Sequence, residues 1–543
     1  MLSEGKLQAA ITEERLSRKK NDGAYPFRAI EEALRLSNLK SQDIDMVGMA
    51  GLPPLARSRR MLEAQWSLFN ETGVILPNRI RYALLTAKQI HRTVPDHLSE
   101  IQRTEWAHHQ CHAAAAFYTS PLERATIITL DGIGDSSVCG SISAGEGDNI
   151  RRLHEFNGYY SPGILYSYVT KAFGFKPARH EGKITGLAAY GDPKLCYPEF
   201  QSLLKYDPIK HQFFSNDIPK LFGLSEEKWD IPIVDELLKR FDRKDIAATL
   251  QRVLEEEVLK AVQDALQMTG IPDVVLAGGV FSNVKLNQRI REHPGVRSVY
   301  VHPGMGDDGL MVGAAHLGAL ELAKARQQPF RREFLETVYL GPSYSTEEVM
   351  SVVREQGLNA VISEHVEEDI AEYLAQGKIV GRFAGRMEYG PRALGNRTIM
   401  ADPRDKKIND WLNQRLKRTE FMPFAPSILE EDCARYFRGW NKDHVAARFM
   451  TMTYDVFPEV QDTCRAVVHV DGTARPQVVR AQDNPQYHRV LSAYKRRTGL
   501  PIVVNTSFNI HEEPIVCTPA DAVRSFLTGC VDVLAMENVI LVQ

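Results

Sequence analysis

Residues 273–291 read DVVLAGGVFSNVKLNQRIR: a buried-type strand runs into paired glycines, then into a helix whose start is marked by Ser282 or Asn283. The same grammar recurs along the chain. Residues 124–144, RATIITLDGIGDSSVCGSISA, give a β-branched strand, a turn expected at Asp131–Asp135, and an alternating second strand. Residues 296–303, VRSVYVHP, give another strand, followed by a Gly304–Gly309 turn holding Asp307 and Asp308 and by the apolar helix LMVGAAHLGALELA. Strands, glycine turns and helices that interleave in this way dictate an α/β architecture.

A charged stretch with no apolar period, KARQQPFRREFLE at 324–336, interrupts this pattern. The expected division is one domain over 1–325, a linker over 326–345 and a second α/β domain over 346–543. The second region carries an amphipathic helix, VEEDIAEYLAQGK, the strands IVGRFAG and LPIVVNTSFN, and a terminal strand expected over VLAMENVILVQ. A length of 543 residues gives a prior of about three to four domain-sized units. The net charge is −3, and no basic stripe argues for nucleic acid. Apolar runs are strand-length, so no membrane span is expected. The seven cysteines are scattered, odd in number and never in a CxxC pair. That usage fits a reducing cytoplasm and speaks against a disulfide framework or a cysteine-based zinc site. No secretory leader is visible.

The residues 106–113, WAHHQCHA, place His108 and His112 four apart, on one face of a helix. Two imidazoles so placed can share a divalent metal if further ligands arrive from elsewhere. Carboxylates at glycine turns after strands are such ligands, and Asp131 and Asp307 each occupy one. A His2Asp2 set without thiolate suits iron(II), manganese or zinc. Asp135 competes with Asp131, and Asp308 with Asp307; spacing leaves both choices open. Cys111, beside the pair, reads as a core residue. Lys183, in HEGKITGLAAYGDP at 180–193, stands between glycines where it could reach an anionic ligand.

Residues 381–404, GRFAGRMEYGPRALGNRTIMADPR, concentrate Arg382, Arg386, Arg392, Arg397 and Arg404 in a frame of Gly385, Gly390, Pro391 and Gly395. Arginines in a constrained loop suit phosphate or carboxylate. Arg415, Lys417 and Arg418 add charge nearby in sequence. Arg475, Asn505, Ser507 and Asn509 offer further polar groups.

HHQCHAAAAF, LDGIGD, EGKITGLAAYG, LAGGVFSNVKLN and GDDGLMVGAA occur in the order seen in the NodU/CmcH-type O-carbamoyltransferases, which this chain resembles over nearly its whole length. The resemblance implies an amino-terminal two-lobed domain of the actin/sugar-kinase type, like the tRNA threonylcarbamoyltransferase catalytic subunit. There His108, His112, Asp131 and Asp307 would hold a divalent metal, Fe2+ first among the candidates. Lys183, Gly278, Gly279, Asn283 and Asp308 would line a nucleotide site. RTEFMPFAPS and EPIVCTPADA, with the basic loop, resemble the family's carboxy-terminal YrdC-like domain. That domain implies formation of carbamoyladenylate from carbamoyl phosphate and Mg2+-bound ATP. Arg386, Arg418, Asn505 and Ser507 are the first expected ligands of these substrates, with Arg392, Lys417, Arg475 and Asn509 next. Asp131, Arg386 and Arg418 are the expected catalytic residues. The carbamoyl group would pass to the hydroxyl of a small molecule such as a sugar, antibiotic or other natural product. Neither nucleic acid nor membrane is an expected partner; a homodimer is one expected assembly.

One feature departs from the family. Its members usually open with a strand and a loop ahead of a stretch like the one that starts this chain, MLSEGKLQAAITEERLSRKKND. The first strand and loop are therefore expected to be missing, which opens a second reading as a shortened, non-catalytic nucleotide-binding homologue. A kinase or ATPase of the actin-like fold is the rival enzyme, and the basic loop argues against it. A tRNA threonylcarbamoylation factor is weakened by the near-neutral charge.

Overall fold

The computed structural model describes residues 1–72, 100–135, 137–216, 232–417 and 423–543. The chain is mixed α/β and forms two compact units. One comprises Leu2–Lys6 and Ser41–Phe334; the other comprises Met1, Leu7–Lys40 and Leu335–Gln543. The division therefore is not the in-line one expected from the charged stretch, because Leu7–Lys40 belongs with the carboxy-terminal residues.

The first unit is built on a five-stranded sheet in the order Ser298–Val301, Asp273–Ala277, Arg124–Gly134, Val138–Glu146, Asn149–Asn157. The first three strands are parallel, with Leu276 opposite both Val301 and Ile128. The remaining pairs are antiparallel. Asp131 to Gly134 lie within the strand as an irregularity between Leu130 and Gly134, and the turn falls after Gly134 rather than at Asp131. The helices His108–Tyr118 and Leu310–Ala325 meet closely: a Cβ on Gly313 would come within 1.8 Å of the Cys111 carbonyl oxygen. That approach is what glycine permits. Cys111 is fully buried, as expected of a core residue.

The second unit holds an eight-stranded mixed sheet in the order Val361–Ile362, Val539–Val542, Val533–Met536, Val380–Phe383, Arg397–Ala401, Ile502–Ser507, Ala425–Leu429, Gln477–Val479. Helices Val366–Ala375 and Pro485–Thr498 cover one face. Ile370, Leu374, Tyr487, Leu491 and Tyr494 pack there on Val380, Met400, Val503 and Val533. The terminal run is two strands, not one. Val533–Met536 and Val539–Val542 pair antiparallel across Glu537 and Asn538, and Glu537 takes φ +50°. A continuous apolar run hides a two-residue turn of this kind, because the apolar residues continue on both sides of it.

The charged stretch is not a solvated linker. Arg332 donates to the Phe117 and Leu122 carbonyls at 3.0 and 2.9 Å and lies over the Phe117 ring in the first unit. Leu335, Val338 and Leu340 are buried in the second. Among the described residues no helix is long and apolar enough to cross a membrane.

Candidate functional site

The parallel strands of the first unit end side by side, and their carboxyl ends are where an α/β sheet presents ligands. Asp131 follows Leu130 there, and Gly278 follows Ala277. Gly278 takes φ +107°, and a Cβ on it would lie 2.1 Å from the Leu130 carbonyl oxygen. A Cβ on Gly279 would lie 2.9 Å from Asp131 Oδ1. The paired glycines thus let one strand end close against the other without displacing the carboxylate. Asn283 caps the next helix, accepting from the Leu286 N–H at 3.1 Å.

His108, His112, Asp131 and Asp307 converge, each offering one ligand atom, and these atoms all lie within 4.8 Å of one another. His112 Nε2 is 3.0 Å from His108 Nε2 and 3.1 Å from Asp131 Oδ2. His108 Nε2 is 3.6 Å from Asp131 Oδ2 and 3.5 Å from Asp307 Oδ1. Donors about 2.1 Å from a shared ion sit roughly 3 Å apart, so the spacing fits one cation. The His112 ring is fully buried, and its Nδ1 has no hydrogen-bond partner. The ring is therefore oriented by what its Nε2 faces.

Electrostatics agree. Burial opposes ionisation of Asp131, but the hydrogen bonds and charges of His108 and His112 outweigh it and hold the carboxyl well below its usual range. Burial also opposes charging His108, and the hydrogen bond to Asp131 with the charges of Asp307, Asp131 and Asp135 reverses this and raises it. Asp307 is raised. Burial is a small cause for a side chain 75% exposed, so the Asp131 charge is the one that counts. Two carboxylates aimed at one point without a cation repel each other.

The neighbouring candidates separate from this cluster. Asp135 Oδ2 accepts from the His108 N–H at 2.7 Å and Oδ1 from the Leu52 N–H at 2.8 Å, so it caps the histidine helix. His109 turns inward to Thr129 Oγ1 and the Val138 carbonyl, both at 3.0 Å. Asp308 is half-buried beside Asp307 and outside the four-residue cluster. Lys183 is buried on helix Glu181–Ala188, with its ammonium 5.4 Å from the Phe175 ring centroid, rather than solvated at a helix start. Asn283 pairs reciprocally with the amide of Gln251, at 2.8 and 3.2 Å. Gln251 lies on helix Arg243–Thr269, where no local motif marks it.

In the second unit the arginine loop is tightly ordered. Gly385, Gly390 and Gly395 all take positive φ, which is why glycine stands there. Glu388 Oε1 accepts from the N–H groups of Leu394, Asn396 and Arg397 at 2.8, 2.7 and 3.0 Å. Glu388 was not among the expected site residues; an acid set among the arginines Arg386, Arg392 and Arg397 was its signal. Arg397 is fully buried, donating to the carbonyls of Ala384, Gly385, Asn396 and Pro342 over the Phe383 ring. Arg386 donates to the carbonyls of Gly341, Gln8 and Leu340, and burial lowers its pKa. Asn505 is buried, with its amide nitrogen within hydrogen-bond distance of the Ala393 carbonyl, Ser427 Oγ and Gln477 Oε1. Asn509 donates to the Ile510 and Glu513 carbonyls. Ser507 ends its strand opposite Thr398 and is half-buried. Lys417 is exposed at φ +54°. Arg392 and Arg475 are half-buried. Arg418 lies outside the described residues.

Known proteins match this chain in sequence. The carbamoyltransferase N-terminus model matches residues 1–316, and the carbamoyltransferase C-terminus model matches residues 371–543. The nodulation protein NolNO of Sinorhizobium fredii is 33% identical over 556 residues, covering 100% of this chain and 78% of that protein. An uncharacterized protein of Synechocystis sp. is 31% identical over 592 residues, covering 100% of this chain and 94% of its own length. Full-length HypF in its phosphate- and nucleotide-bound form overlays on 56% of this chain and 42% of that one at TM-score 0.29 and 16% identity, too loose a match to bear on the site. With both models matched in order and relatives aligned along its full length, the chain belongs to the carbamoyltransferase family and is a carbamoyltransferase.

Proposed function

We propose that the protein is an ATP-dependent O-carbamoyltransferase working in two stages. In the first, water cleaves carbamoyl phosphate to carbamate and phosphate, and a carbamate oxygen attacks the α-phosphorus of ATP, forming carbamoyladenylate as the bond to pyrophosphate breaks. In the second, an acceptor hydroxyl attacks the carbamoyl carbon, the bond to the AMP phosphate breaks, and AMP leaves. The acceptor is a small-molecule alcohol. The observation that carries this reading is the convergence of His108, His112, Asp131 and Asp307 within the part matched by the carbamoyltransferase N-terminus model.

Those four residues fit a divalent ion, by donor type and by separation. When bound, the ion would supply Lewis-acid stabilisation of the leaving phosphate. The chain's own residues do the rest. On this reading Gly278 and Gly279 line a nucleotide site at the strand end. Lys183, Asn283 and Asp308 would complete it. Asp131 turns Oδ2 to His112 and Oδ1 to the Gly132 N–H; Oδ1, the oxygen turned away from the histidines, is the one that would take the acceptor proton. In the second unit Arg386, Arg392, Arg475, Ser507 and Asn509, with Lys417 and Arg418, hold ATP with its Mg2+ and carbamoyl phosphate. Asn505 contributes by fixing the strand that presents Ser507.

Pyrophosphate release from ATP, with and without carbamoyl phosphate and with no acceptor, tests the first stage. Release that depends on carbamoyl phosphate is the expected result. Phosphate released from ATP alone, with no pyrophosphate, would favour a kinase or ATPase instead.

A further inference from the structure

The carboxy-terminal unit contains a cavity of about 230 Å³ beside the strand Val380–Phe383, and none of the residues assigned above to ATP or carbamoyl phosphate lines it. One water needs only about 10–15 Å³ of space open to its centre, so the cavity admits a ligand of several non-hydrogen atoms. Its walls carry Arg382 and Glu537, with Glu367 and Gln486 beside them and Val366 and Ile370 as apolar surface.

We propose that this cavity binds a small zwitterion of α-amino-acid size, its carboxylate on Arg382 and its ammonium on Glu537. Arg382 is 3% exposed. Its Nη1 donates to the Gly395 carbonyl at 2.6 Å and to Asn396 Oδ1 at 2.9 Å, and its Nη2 reaches Gln486 Oε1 at 3.4 Å. All three partners are neutral, and among the described residues no carboxylate pairs with this guanidinium. Glu537 Oε1 accepts from the Gly385 N–H at 2.8 Å, and no described cation pairs with Glu537. Glu367 differs, because Arg489 already holds it. Arg382 feels the charges of Glu537 and Glu388 but forms a close ion pair with neither, so one cavity presents a buried guanidinium and a half-buried carboxylate, each with room for a further charged partner. For the buried Arg382, a charge without a close ionic partner is costly. A plain anion would satisfy Arg382 and repel Glu537; a plain amine would do the reverse. A ligand carrying both charges satisfies both.

The same two side chains clasp the arginine loop at its two ends. Glu537 holds Gly385 at the start, and Arg382 holds Gly395 and Asn396 near the finish. Arg386 and Arg392 lie between. Occupancy therefore adjusts the loop and, on the reading of the loop given under Proposed function, the rate of adenylation.

Isothermal titration of the full chain with glycine, alanine, serine, threonine, valine and proline tests binding, with acetate and methylamine as single-charge controls. At least one amino acid should bind, and both controls should bind about tenfold more weakly or worse. Glu537→Gln keeps an acceptor for the Gly385 N–H while removing the charge; it should weaken binding about tenfold or more. Val366→Trp fills the cavity from its half-buried rim and should abolish binding. No binding at millimolar amino acid overturns the proposal, as do affinities unchanged by both variants or matched by either control. Adding the bound amino acid to the pyrophosphate assay should change the rate at least about twofold; an unchanged rate overturns the coupling. If no pyrophosphate appears under any condition, the adenylation reading fails and the titration still decides the cavity.

Discussion

His112 shows what a single residue decides in this chain. Its ring is fully enclosed, its Nδ1 has no partner, and its Nε2 faces both His108 and Asp131. Replacing it with alanine should lower affinity for a divalent ion by at least about a hundredfold, since even outer-shell changes at metal sites cost about 10- to 100-fold. Equilibrium dialysis reads this directly. Asp135→Asn should behave differently. It keeps an acceptor for the His108 or Leu52 N–H, so ion binding should weaken less while the helix start loosens. The HxxxH spacing made the two histidines legible in the sequence. The choice between Asp131 and Asp135 was not legible. Both stand in one glycine-rich segment, and only the strand irregularity after Leu130 turns one carboxylate to the histidine rings and the other to the helix N-terminus.

At the scale of elements, glycines and one glutamate hold the two candidate sites together. Gly278→Ala would force a Cβ to within 2.1 Å of the Leu130 carbonyl oxygen at φ +107°. The strand ends must then separate, at a cost of about 3 kcal/mol or more, measurable as a fall in denaturation midpoint along with loss of ion binding. Glu388→Ala leaves the N–H groups of Leu394, Asn396 and Arg397 without their acceptor. At about 1–3 kcal/mol for each buried unsatisfied group, the loss should be at least about 3 kcal/mol, with Glu388→Gln milder; chemical denaturation compares them. Strand-Gly-helix units were readable because their apolar period changes at a glycine. The carboxy-terminal hairpin was not, since Val533–Val542 is apolar on both sides of a two-residue turn. The loop's constraint was readable from its glycines, whereas its actual clasp by Glu388 depends on contacts that only the folded backbone supplies.

At the scale of the whole molecule, the carboxy-terminal unit needs residues from the start of the chain. Gln8 accepts from Arg386, Arg15 donates to the Gly390 carbonyl, and Arg18 donates to the Pro514 and Ile515 carbonyls. Ile11 and Ala29 pack with Met387, Ala393, Ile515 and Cys517. A fragment of 335–543 alone should therefore melt well below the same fragment fused to 7–40. The sequence pattern could not reveal this, because the partners lie hundreds of positions apart. Acid should also destabilise the first unit. Burial lowers His302 to about 3 and His316 to about 4. Both are neutral when folded but protonate near 6.5 when unfolded, so stability is full above that value and falls as pH drops toward 4. At pH 5 the loss is about 2 kcal/mol per histidine, and His316→Gln should flatten the acid limb of a melting-temperature profile.

A single cation site formed by His108, His112, Asp131 and Asp307 is directly measurable. Anaerobic dialysis against Fe2+, with Mn2+ and Zn2+ in parallel, tests it on the full chain and on His112→Ala and Asp131→Asn. One equivalent bound to the unaltered chain, and none to either variant, is the predicted result. No binding to the unaltered chain, or binding that survives both substitutions, would contradict it.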